Sequence, residues 1–299
     1  MAWLEVVEEK CVGCGACLTA CPYEALAIED TLVAVNNRCT LCGACVESCP
    51  YEALVLRKDG AAAAGGAPSD CRGVMVVAEQ KRGVVQSVSF ELLGVGRRLA
   101  EDTGSGLSAV LIGHNVVPQA KRLIAYGADR VFVFQSGALE QFNDEAYAKI
   151  LARIIRAEKP EIVIAGATCI GRALIPRVAV ELGTGLTADC TGLEIQEETH
   201  HLAQTRPAFG GNIMATILCT RHRPQMATVR HKVMRALVPD ESRAGEVIEV
   251  SPAEGDLVTR ARVLKSVEET AGTINISEAD IIVSGGRGMR GPEHFSLIA

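Results

Sequence analysis

The feature that most constrains this chain is a cysteine motif that it contains twice. The first copy, CVGCGACLTACPYEAL, begins at Cys11, and the second, CTLCGACVESCPYEAL, begins at Cys39. Each copy has the spacing C-x2-C-x2-C-x3-C-P, and the two copies hold eight of the chain's twelve cysteines. Thiols at this regular spacing indicate metal binding and not a disulfide framework.

The spacing is typical of a protein that holds two 4Fe-4S clusters. Three thiolates step around one face of a cluster, and the fourth cysteine of the motif reaches the other cluster. The expected ligands are Cys11, Cys14, Cys17 and Cys49 for one cluster, and Cys39, Cys42, Cys45 and Cys21 for the second. Gly13, Gly15 and Gly43 would let the backbone approach the cluster sulfides closely. Structural zinc is disfavoured, because zinc sites normally use two separated C-x2-C pairs.

Residues 3–58 therefore resemble a bacterial-type two-cluster ferredoxin. This part is strongly acidic: residues 1–60 carry nine acidic and four basic side chains, and so hold most of the chain's net charge of -6. Nucleic-acid binding depends on clustered Lys and Arg, so this charge argues against a nucleic-acid partner. An acidic surface instead suits electrostatic docking to a partner protein.

The chain is expected to be cytoplasmic and to have no membrane span. Its first residues, MAWLEVVEEK, lack the basic and apolar regions of a signal peptide. Nowhere do 18 consecutive apolar residues occur.

The rest of the chain is predicted to be an α/β domain with a doubly wound parallel sheet. Apolar, β-branched segments alternate with helical periodicity, with helices expected near 89–101, 118–126, 144–158 and 172–182. The predicted organisation is a ferredoxin-like α+β module at 1–58, a Gly/Ala-rich linker at 59–70, an α/β domain at 71–265, and the beginning of a further domain at 275–299.

Two segments are candidates for ligand binding at the carboxyl ends of the predicted strands. In AGATCIGRALIPR, a strand-to-helix turn contains Gly166, Thr168 and Gly171, whose backbone N–H groups could meet an anionic or flavin oxygen. An ordinary tight turn explains the same residues. In QTRPAFGGNIMATI, Arg206 precedes a proline, which would hold a guanidinium at the mouth of a loop.

The order and distances of seven stretches make this part similar to the alpha subunit of electron transfer flavoprotein. The stretches are VVAEQKRG, SFELLGVGRRLA, AGATCIGRALIPRVA, GLTADCTGLEI, TRPAFGGNIMATI, RPQMATVR and SGGRGM. The similarity covers roughly residues 73–299, and an N-terminal two-cluster module is typical of variants in electron-bifurcating complexes.

The resemblance implies roles for several residues. Arg206 would lie over an FAD that is shared with the beta subunit, and would be the residue closest to catalysis. Arg287, with Gly285, Gly286 and Gly288, would contact a second FAD. The family continues for about another domain beyond SGGRGM, whereas this sequence ends at Ala299. Only the first strand and glycine turn of that FAD-binding domain are therefore expected, and the second FAD site would be incomplete.

The function that the resemblance implies is that of an oxidoreductase subunit with no complete active site of its own. NADH, reached through the beta subunit, would reduce ferredoxin and an acyl-CoA together, the latter through an acyl-CoA dehydrogenase-like reductase. One alternative is a non-bifurcating electron transfer flavoprotein alpha subunit that serves an iron–sulfur partner. Another is a nucleotide-binding scaffold in which the clusters only stabilise the fold.

The remaining cysteines are expected to be small buried hydrophobic residues: Cys71, Cys169, Cys190 and Cys219. Asp189 in TADC could orient the end of a strand, and no chemistry is predicted for it.

Overall fold

A computed structural model describes residues 2–36, 38–58, 70–267, 279 and 281–298. The chain divides into two compact units, Met1–Gly65 and Gly66–Ala299. The predicted linker at 59–70 lies outside the described residues except for Asp70, and the proposed domain boundaries stay predictions.

The first unit consists of short strands and helices arranged in two similar halves. Its elements are β1 (Ala2–Val6), α1 (Ala16–Ala20), β2 (Leu26–Glu29), β3 (Leu32–Val35), α2 (Ala44–Glu47) and β4 (Leu54–Lys58). Strands β1 and β4 pair antiparallel, as do β2 and β3. Each helix begins after a glycine in the left-handed region, Gly15 (φ 75°) or Gly43 (φ 84°). The repeated motif therefore folds as a repeated turn and helix.

The second unit is built on a seven-stranded parallel sheet. The described part of the unit contains strands of this sheet and of two smaller sheets. In chain order they are β5 (Val74–Ala78), β6 (Gln80–Lys81), β7 (Val84–Val85), β8 (Leu107–Gly113), β9 (Arg130–Gln135), β10 (Ile162–Gly166), β11 (Leu186–Cys190), β12 (Gly192–Ile195), β13 (Leu202–Ala208), β14 (Ile213–Ile217), β15 (Gln225–Val229) and β16 (Glu246–Glu249). The parallel sheet has the order β11-β15-β10-β5-β8-β9-β16. Strands β6 and β7 form a small hairpin, and β12, β13 and β14 form a separate antiparallel sheet.

Helices cover both faces of the parallel sheet. They are α3 (Ser87–Asp102), α4 (Ala120–Ala125), α5 (Asp144–Glu158) and α6 (Cys169–Leu182). Residues alternate along β5: Val74 and Val76 pack in one core with α3 and α4, whereas Met75 and Val77 pack in the other core with α5 and α6. A strand buried on both sides is therefore a nearly continuous apolar run, as in a parallel sheet with helices on each face. The predicted α/β fold class is confirmed.

Helix α5 shows why its ends could be read from the sequence. The side chain of Asn143 accepts hydrogen bonds from the backbone N–H groups of Glu145 and Ala146, which caps the first turn. At the other end Lys159 adopts a left-handed conformation with φ 47°, which stops the helix. The observed helix, Asp144–Glu158, has the predicted bounds.

One local prediction is confirmed and one is wrong. The helix expected near 118–126 is present, as a 3-10 turn at Val117–Gln119 that continues into the α-helix Ala120–Ala125. The strand expected before Gly285 is not formed: among the described residues 281–286 there is no strand, and the side chains of Ile281 and Val283 are 86% and 67% exposed. These apolar side chains have no adjacent strand in the described part of the chain against which a sheet could form.

Candidate functional site

The first motif and the last cysteine of the second motif surround one cavity. The cavity has a volume of about 280 Å³, and its thiols are Cys11, Cys14, Cys17 and Cys49. Gly13 is in the left-handed region (φ 63°), and a Cβ atom there would lie 2.4 Å from the carbonyl oxygen of Thr31. Only glycine lets the turn between Cys11 and Cys14 pass so close to the neighbouring hairpin.

The second motif and the last cysteine of the first motif surround another cavity. Its volume is about 320 Å³, and its thiols are Cys39, Cys42, Cys45 and Cys21. The structure thus brings together the two sets of four cysteines that the spacing predicts. Assignment of these residues as cluster ligands stays a prediction.

The distant cysteine of each motif is held by the same backbone contact. The N–H of Ala25 donates to Cys21 Sγ at 3.4 Å, and the N–H of Ala53 donates to Cys49 Sγ at 3.3 Å. Each contact fixes the position of the sulfur relative to the turn that follows it.

Two equivalent ion pairs connect the halves of the first unit. Lys10, directly before the first motif, lies with its Nζ 4.0 Å from Glu52 Oε2. Arg38, one residue before the second motif, lies with its Nη1 3.4 Å from Glu24 Oε2. All four side chains are largely exposed, so these pairs contribute little to stability. In each pair, a base before one motif contacts an acid after the other motif, just as each cavity takes its fourth cysteine from the other motif.

The geometry of both cavities fits a cluster. Among the residues that the structure describes, no three His, Cys, Asp or Glu side chains converge on a single metal ion. The thiols instead stand around a cavity, as a cubane requires. Burial raises the pKa of the Cys17 thiol, and the charges of Cys49, Cys14 and Cys11 raise it further. A positively charged iron centre would remove this penalty by coordinating the thiolates.

In the second unit, polar groups meet where the order of the parallel strands reverses. The chain passes from β5 outward to β8 and β9, and then returns to β10 on the other side of β5. Ligands of doubly wound sheets bind outside the carboxyl ends of strands at such a point. A cavity of about 430 Å³ lies there, lined mainly by apolar side chains together with Glu79, Gln80 and Tyr147. Burial raises the pKa of Tyr147 to about 12, and its hydroxyl accepts a hydrogen bond from Gln80.

The turn after β10 is held by contacts within the chain. The Thr168 hydroxyl accepts from the N–H of Gly171 at 3.1 Å and donates to Glu79 Oε2 at 2.5 Å. A Cβ atom on Gly171 would lie 1.9 Å from the carbonyl oxygen of Gly166. These contacts explain Gly166, Thr168 and Gly171 as residues of an ordinary tight turn, which is the alternative to a ligand site. A cofactor role for Gly166 and Thr168 stays a prediction.

Arg206 lies in β13, and its guanidinium, unlike that of Arg230, has no partner within the described part of the chain. Its Nε atom is buried without a hydrogen-bond partner, and its side chain forms no ion pair within the described part of the chain. Nearby, Arg230 binds both oxygens of Asp189, with Nε–Oδ1 and Nη2–Oδ2 distances of 3.0 and 2.7 Å. The hydrogen bond from Arg230 lowers the pKa of Asp189, and the charges of Arg206 and Arg172 act in the same direction. The Nε atoms of Arg97, Arg153 and Arg243 are buried without a partner as well, so what distinguishes Arg206 is that its guanidinium makes no hydrogen bond or ion pair at all within the described residues.

Sequence reasoning missed Glu79 and Arg230. Both follow directly after a buried strand, β5 and β15, and a polar residue at the carboxyl end of such a strand is the signal that could have found them. Asp189, for which no chemistry was predicted, does hold a strand end through Arg230.

The predicted FAD-contacting glycines lie in an exposed segment. Arg287 begins a 3-10 turn, Arg287–Met289. A Cβ atom would meet nothing within 4 Å at Gly286 or Gly288, whereas at Gly285 it would meet Met289 and Phe295. The open backbone at Gly286 and Gly288 could be approached closely by a ligand, and their role stays a prediction.

The prediction of buried cysteines outside the motifs is only partly right. Cys190 is buried, Cys71 and Cys219 are half-buried, and Cys169 is exposed. Cys169 is the first residue of α6, directly after the capping residue Thr168.

Comparison with known protein families settles the identity of both units. An electron transfer flavoprotein domain matches residues 74–255, and a 4Fe-4S binding domain matches residues 4–27 and 33–55. The chain belongs to the electron transfer flavoprotein family. It is an alpha-type subunit with iron–sulfur motifs, and the two domains support two 4Fe-4S clusters and the binding of flavin.

Three relatives illustrate the range of this family. The alpha subunit of electron transfer flavoprotein from Thermoanaerobacterium thermosaccharolyticum is 47% identical over 230 residues, which cover 77% of this chain and 69% of the relative. The lactate dehydrogenase (NAD(+),ferredoxin) subunit LctC of Acetobacterium woodii is 39% identical over 278 residues, 93% of this chain and 66% of the relative. The acryloyl-CoA reductase electron transfer subunit beta of Anaerotignum propionicum is 41% identical over 244 residues, 73% of this chain and 66% of the relative. These names support a general oxidoreductase role.

Within the described residues, no helix is both long and apolar enough to cross a membrane.

Proposed function

We propose that this chain is the electron-transferring subunit of a flavin-based electron-bifurcating complex. In the complex, oxidation of NADH would be coupled to reduction of ferredoxin and of an enoyl-CoA. The observation that carries the proposal is the similarity to LctC over 278 residues, or 93% of this chain. The second unit, residues 66–299, is shorter than this, so the similarity includes part of the iron–sulfur unit. The name of that relative joins NAD and ferredoxin, and the acryloyl-CoA reductase subunit supports a CoA thioester as the second acceptor.

The partners in this proposal are a beta subunit, which would share an FAD with this chain and receive NADH, an acyl-CoA dehydrogenase-like reductase, and ferredoxin. When bound, the flavin would take up electrons in pairs and the clusters would carry them singly. The eight motif cysteines would hold the two clusters. The second FAD would contact Arg287 and its neighbouring glycines.

Arg206 is the residue of this chain that would act on the shared flavin. Its guanidinium is always charged at physiological pH, and its buried Nε–H has no acceptor within the described residues. Placed beside the flavin ring, it would stabilise negative charge and would supply no proton, because the guanidinium does not give up its proton in proteins. The half-buried position makes this charge more effective than it would be in water.

The test is anaerobic reduction of ferredoxin by NADH in the assembled complex with the CoA acceptor present. We expect Arg206→Ala to lower the rate about tenfold or more, because a hydrogen bond to a charged group contributes roughly 1.5–3 kcal/mol and ~1.4 kcal/mol is a factor of ten. Arg206→Lys should restore part of the rate, since it keeps the charge and loses the planar fork.

Arg177→Ala is the matched control, because it breaks an ion pair of 2.7 Å with Asp144 in another part of the unit. Iron and flavin contents should be equal in all variants. An alanine variant at position 206 with unchanged coupling would assign Arg206 to a structural role.

A non-bifurcating electron transfer flavoprotein is the second candidate. It is favoured by the relatives that are named simply as alpha subunits and match 77% of this chain. Such a carrier would pass electrons from dehydrogenases to an iron–sulfur partner, and it would not need the CoA acceptor to be present for ferredoxin to be reduced.

A further inference from the structure

The segment that carries Asp189 lies beside the segment that carries Arg206, an arginine without an ion pair in the described part of the chain. The N–H of Thr191 donates to the carbonyl oxygen of Thr205 at 2.8 Å, which places the chain just beyond Asp189 beside the residue that precedes Arg206. The hydrogen bond from Arg230 lowers the pKa of Asp189, and the charge of Arg206 lowers it further. Burial raises the pKa of Cys190 to about 11, and the charge of Arg206 opposes this rise. Even so, Arg206 forms no ion pair with Asp189.

The carboxylate of Asp189 is already occupied. Arg230 binds its two oxygens with two separate nitrogens, at 3.0 and 2.7 Å, which is the bidentate geometry that gives Arg–carboxylate pairs their specificity. A carboxylate can accept from two guanidinium groups, as Asp129 does from Arg97 and Arg243, but the charge of Asp189 is already balanced and its orientation fixed by Arg230, so its attraction for a second guanidinium is weaker.

The backbone fixes where Asp189 points. Asp189 has φ 63°, in the left-handed region, and lies at an irregularity in the pairing of β11 with β15. Its N–H donates to Thr228 Oγ1 at 3.0 Å, and the N–H of Arg230 donates to the carbonyl oxygen of Cys190 at 2.9 Å. Aspartate is one of the few non-glycine residues that adopt this conformation readily, and the two backbone hydrogen bonds on either side of it hold it here.

The ion pair is a weak candidate for a purely stabilising role. The side chains of Arg230 and Asp189 are 47% and 40% exposed. Exposed ion pairs of this kind add little to stability, since water already solvates both charges. The half-buried Arg206 side chain makes no ion pair or hydrogen bond within the described residues, which is better explained if the pair serves its neighbour.

We propose that Arg230 is a positioning residue: by holding both oxygens of Asp189, it prevents this carboxylate from capturing Arg206 and so leaves the Arg206 guanidinium available to a group outside the chain. The proposal rests on the proposed function in that this group is the shared flavin. It predicts that loss of Arg230 is harmful only while Asp189 keeps its charge.

The decisive experiment compares Arg230→Ala, Asp189→Asn and the double variant. Asparagine suits position 189, because it tolerates left-handed backbone and removes only the charge. The Nε–Hε resonance of Arg206 in the ¹⁵N-labelled chain, identified by its loss in Arg206→Lys, reports on the pairing directly. We expect Arg230→Ala to shift this resonance, and we expect the double variant to return it to its wild-type position. Arg177→Ala should leave it unchanged.

The second measurement is the midpoint potential of the shared flavin in the complex with the beta subunit, by anaerobic spectroelectrochemical titration. Arg230→Ala should lower the potential in the same direction as Arg206→Ala, because a neutralised cation no longer stabilises the reduced flavin. The double variant should recover most of the wild-type potential, and Arg230→Lys should recover part of it.

Three results would overturn the proposal: an Arg206 resonance that does not respond to Arg230→Ala, a double variant no better than Arg230→Ala, or a flavin potential that stays at its wild-type value in Arg230→Ala. None of these measurements needs NADH, ferredoxin or a CoA acceptor. Failure of electron bifurcation with the expected resonance and potential shifts would therefore leave the role of Arg230 intact.

Discussion

Exchange of the fourth cysteine between the two motifs can be tested by counting iron. If each motif supplied its own four ligands, Cys21 would serve the same cluster as Cys14. The structure instead places Cys21 in the cavity of about 320 Å³ with Cys42, and Cys49 in the cavity of about 280 Å³ with Cys14. Two full clusters correspond to about eight iron atoms per chain, so loss of one ligand should reduce the content toward about four.

Single variants do not reveal which cluster is lost, but pairs of variants do. Cys21→Ala with Cys42→Ala removes two ligands from one cavity, so the protein should keep about four iron atoms. Cys21→Ala with Cys14→Ala removes one ligand from each cavity, so the content should fall well below four, toward zero. The two double variants remove the same number of thiols, and each is the matched control for the other.

The assay is iron and sulfide analysis of anaerobically reconstituted protein, with the absorbance near 400 nm as a second measure. A site with three thiolates could keep a three-iron cluster, which would raise the iron content of the Cys21/Cys14 variant alone, so the number of intact four-iron clusters is compared by electron paramagnetic resonance as well as the total iron. Cys169→Ala, which removes an exposed thiol outside the motifs, should retain all the iron. An intact four-iron cluster in the Cys21/Cys14 variant and none in the Cys21/Cys42 variant would refute crossed ligation.

The turn after β10 and the buried carboxyl beside it lead to two further predictions. Gly171→Ala places a Cβ atom 1.9 Å from the carbonyl oxygen of Gly166, and should lower the free energy of unfolding by about 1–3 kcal/mol in thermal or denaturant unfolding. Gly286→Ala is the control, because its Cβ atom would meet nothing within 4 Å, and its free energy of unfolding should not fall. Equal stability of the two variants would contradict the close packing of this turn. Burial raises the pKa of Glu79 above its ordinary value of 4.5, so the folded state holds its proton more tightly, and this contribution to stability is lost as the pH rises from about 4.5 through the raised pKa. Glu79→Gln should remove that loss, and the stability of the variant relative to the wild type should increase with pH when unfolding is followed by circular dichroism; parallel stability profiles would show that Glu79 is not buried in this way.

Features that depend on local sequence could be predicted. The cysteine spacing alone predicted both sets of four thiols, because a short loop can supply only three ligands to one cluster and the fourth cysteine then reaches the other cluster. The periodic apolar residues predicted the bounds of α5, and the structure shows that Asn143 caps its first turn. Continuous apolar strands such as β5 and β10 identified a parallel sheet covered on both faces.

Features that depend on distant contacts could not. Thr168 and Glu79 meet across 89 residues, and Arg230 and Asp189 across 41, so no local pattern indicates either pair. The strand expected before Gly285 illustrates the opposite error: Ile281 and Val283 have the composition of a strand, but a strand forms only where a partner strand offers hydrogen bonds. Local propensity is overruled there by the absence of a sheet within the described residues around it.

Coupling between the two acceptors is the measurement that tests the proposed function most directly. The complex of this chain with its beta subunit and acyl-CoA reductase, reconstituted with flavin and iron, would be mixed anaerobically with NADH and ferredoxin, with and without the enoyl-CoA. We expect ferredoxin to be reduced only when the enoyl-CoA is present, in proportion to the enoyl-CoA consumed, because the favourable electron transfer drives the unfavourable one. Ferredoxin reduction at the same rate without the CoA acceptor, or enoyl-CoA reduction with none of the electrons reaching ferredoxin, would contradict bifurcation.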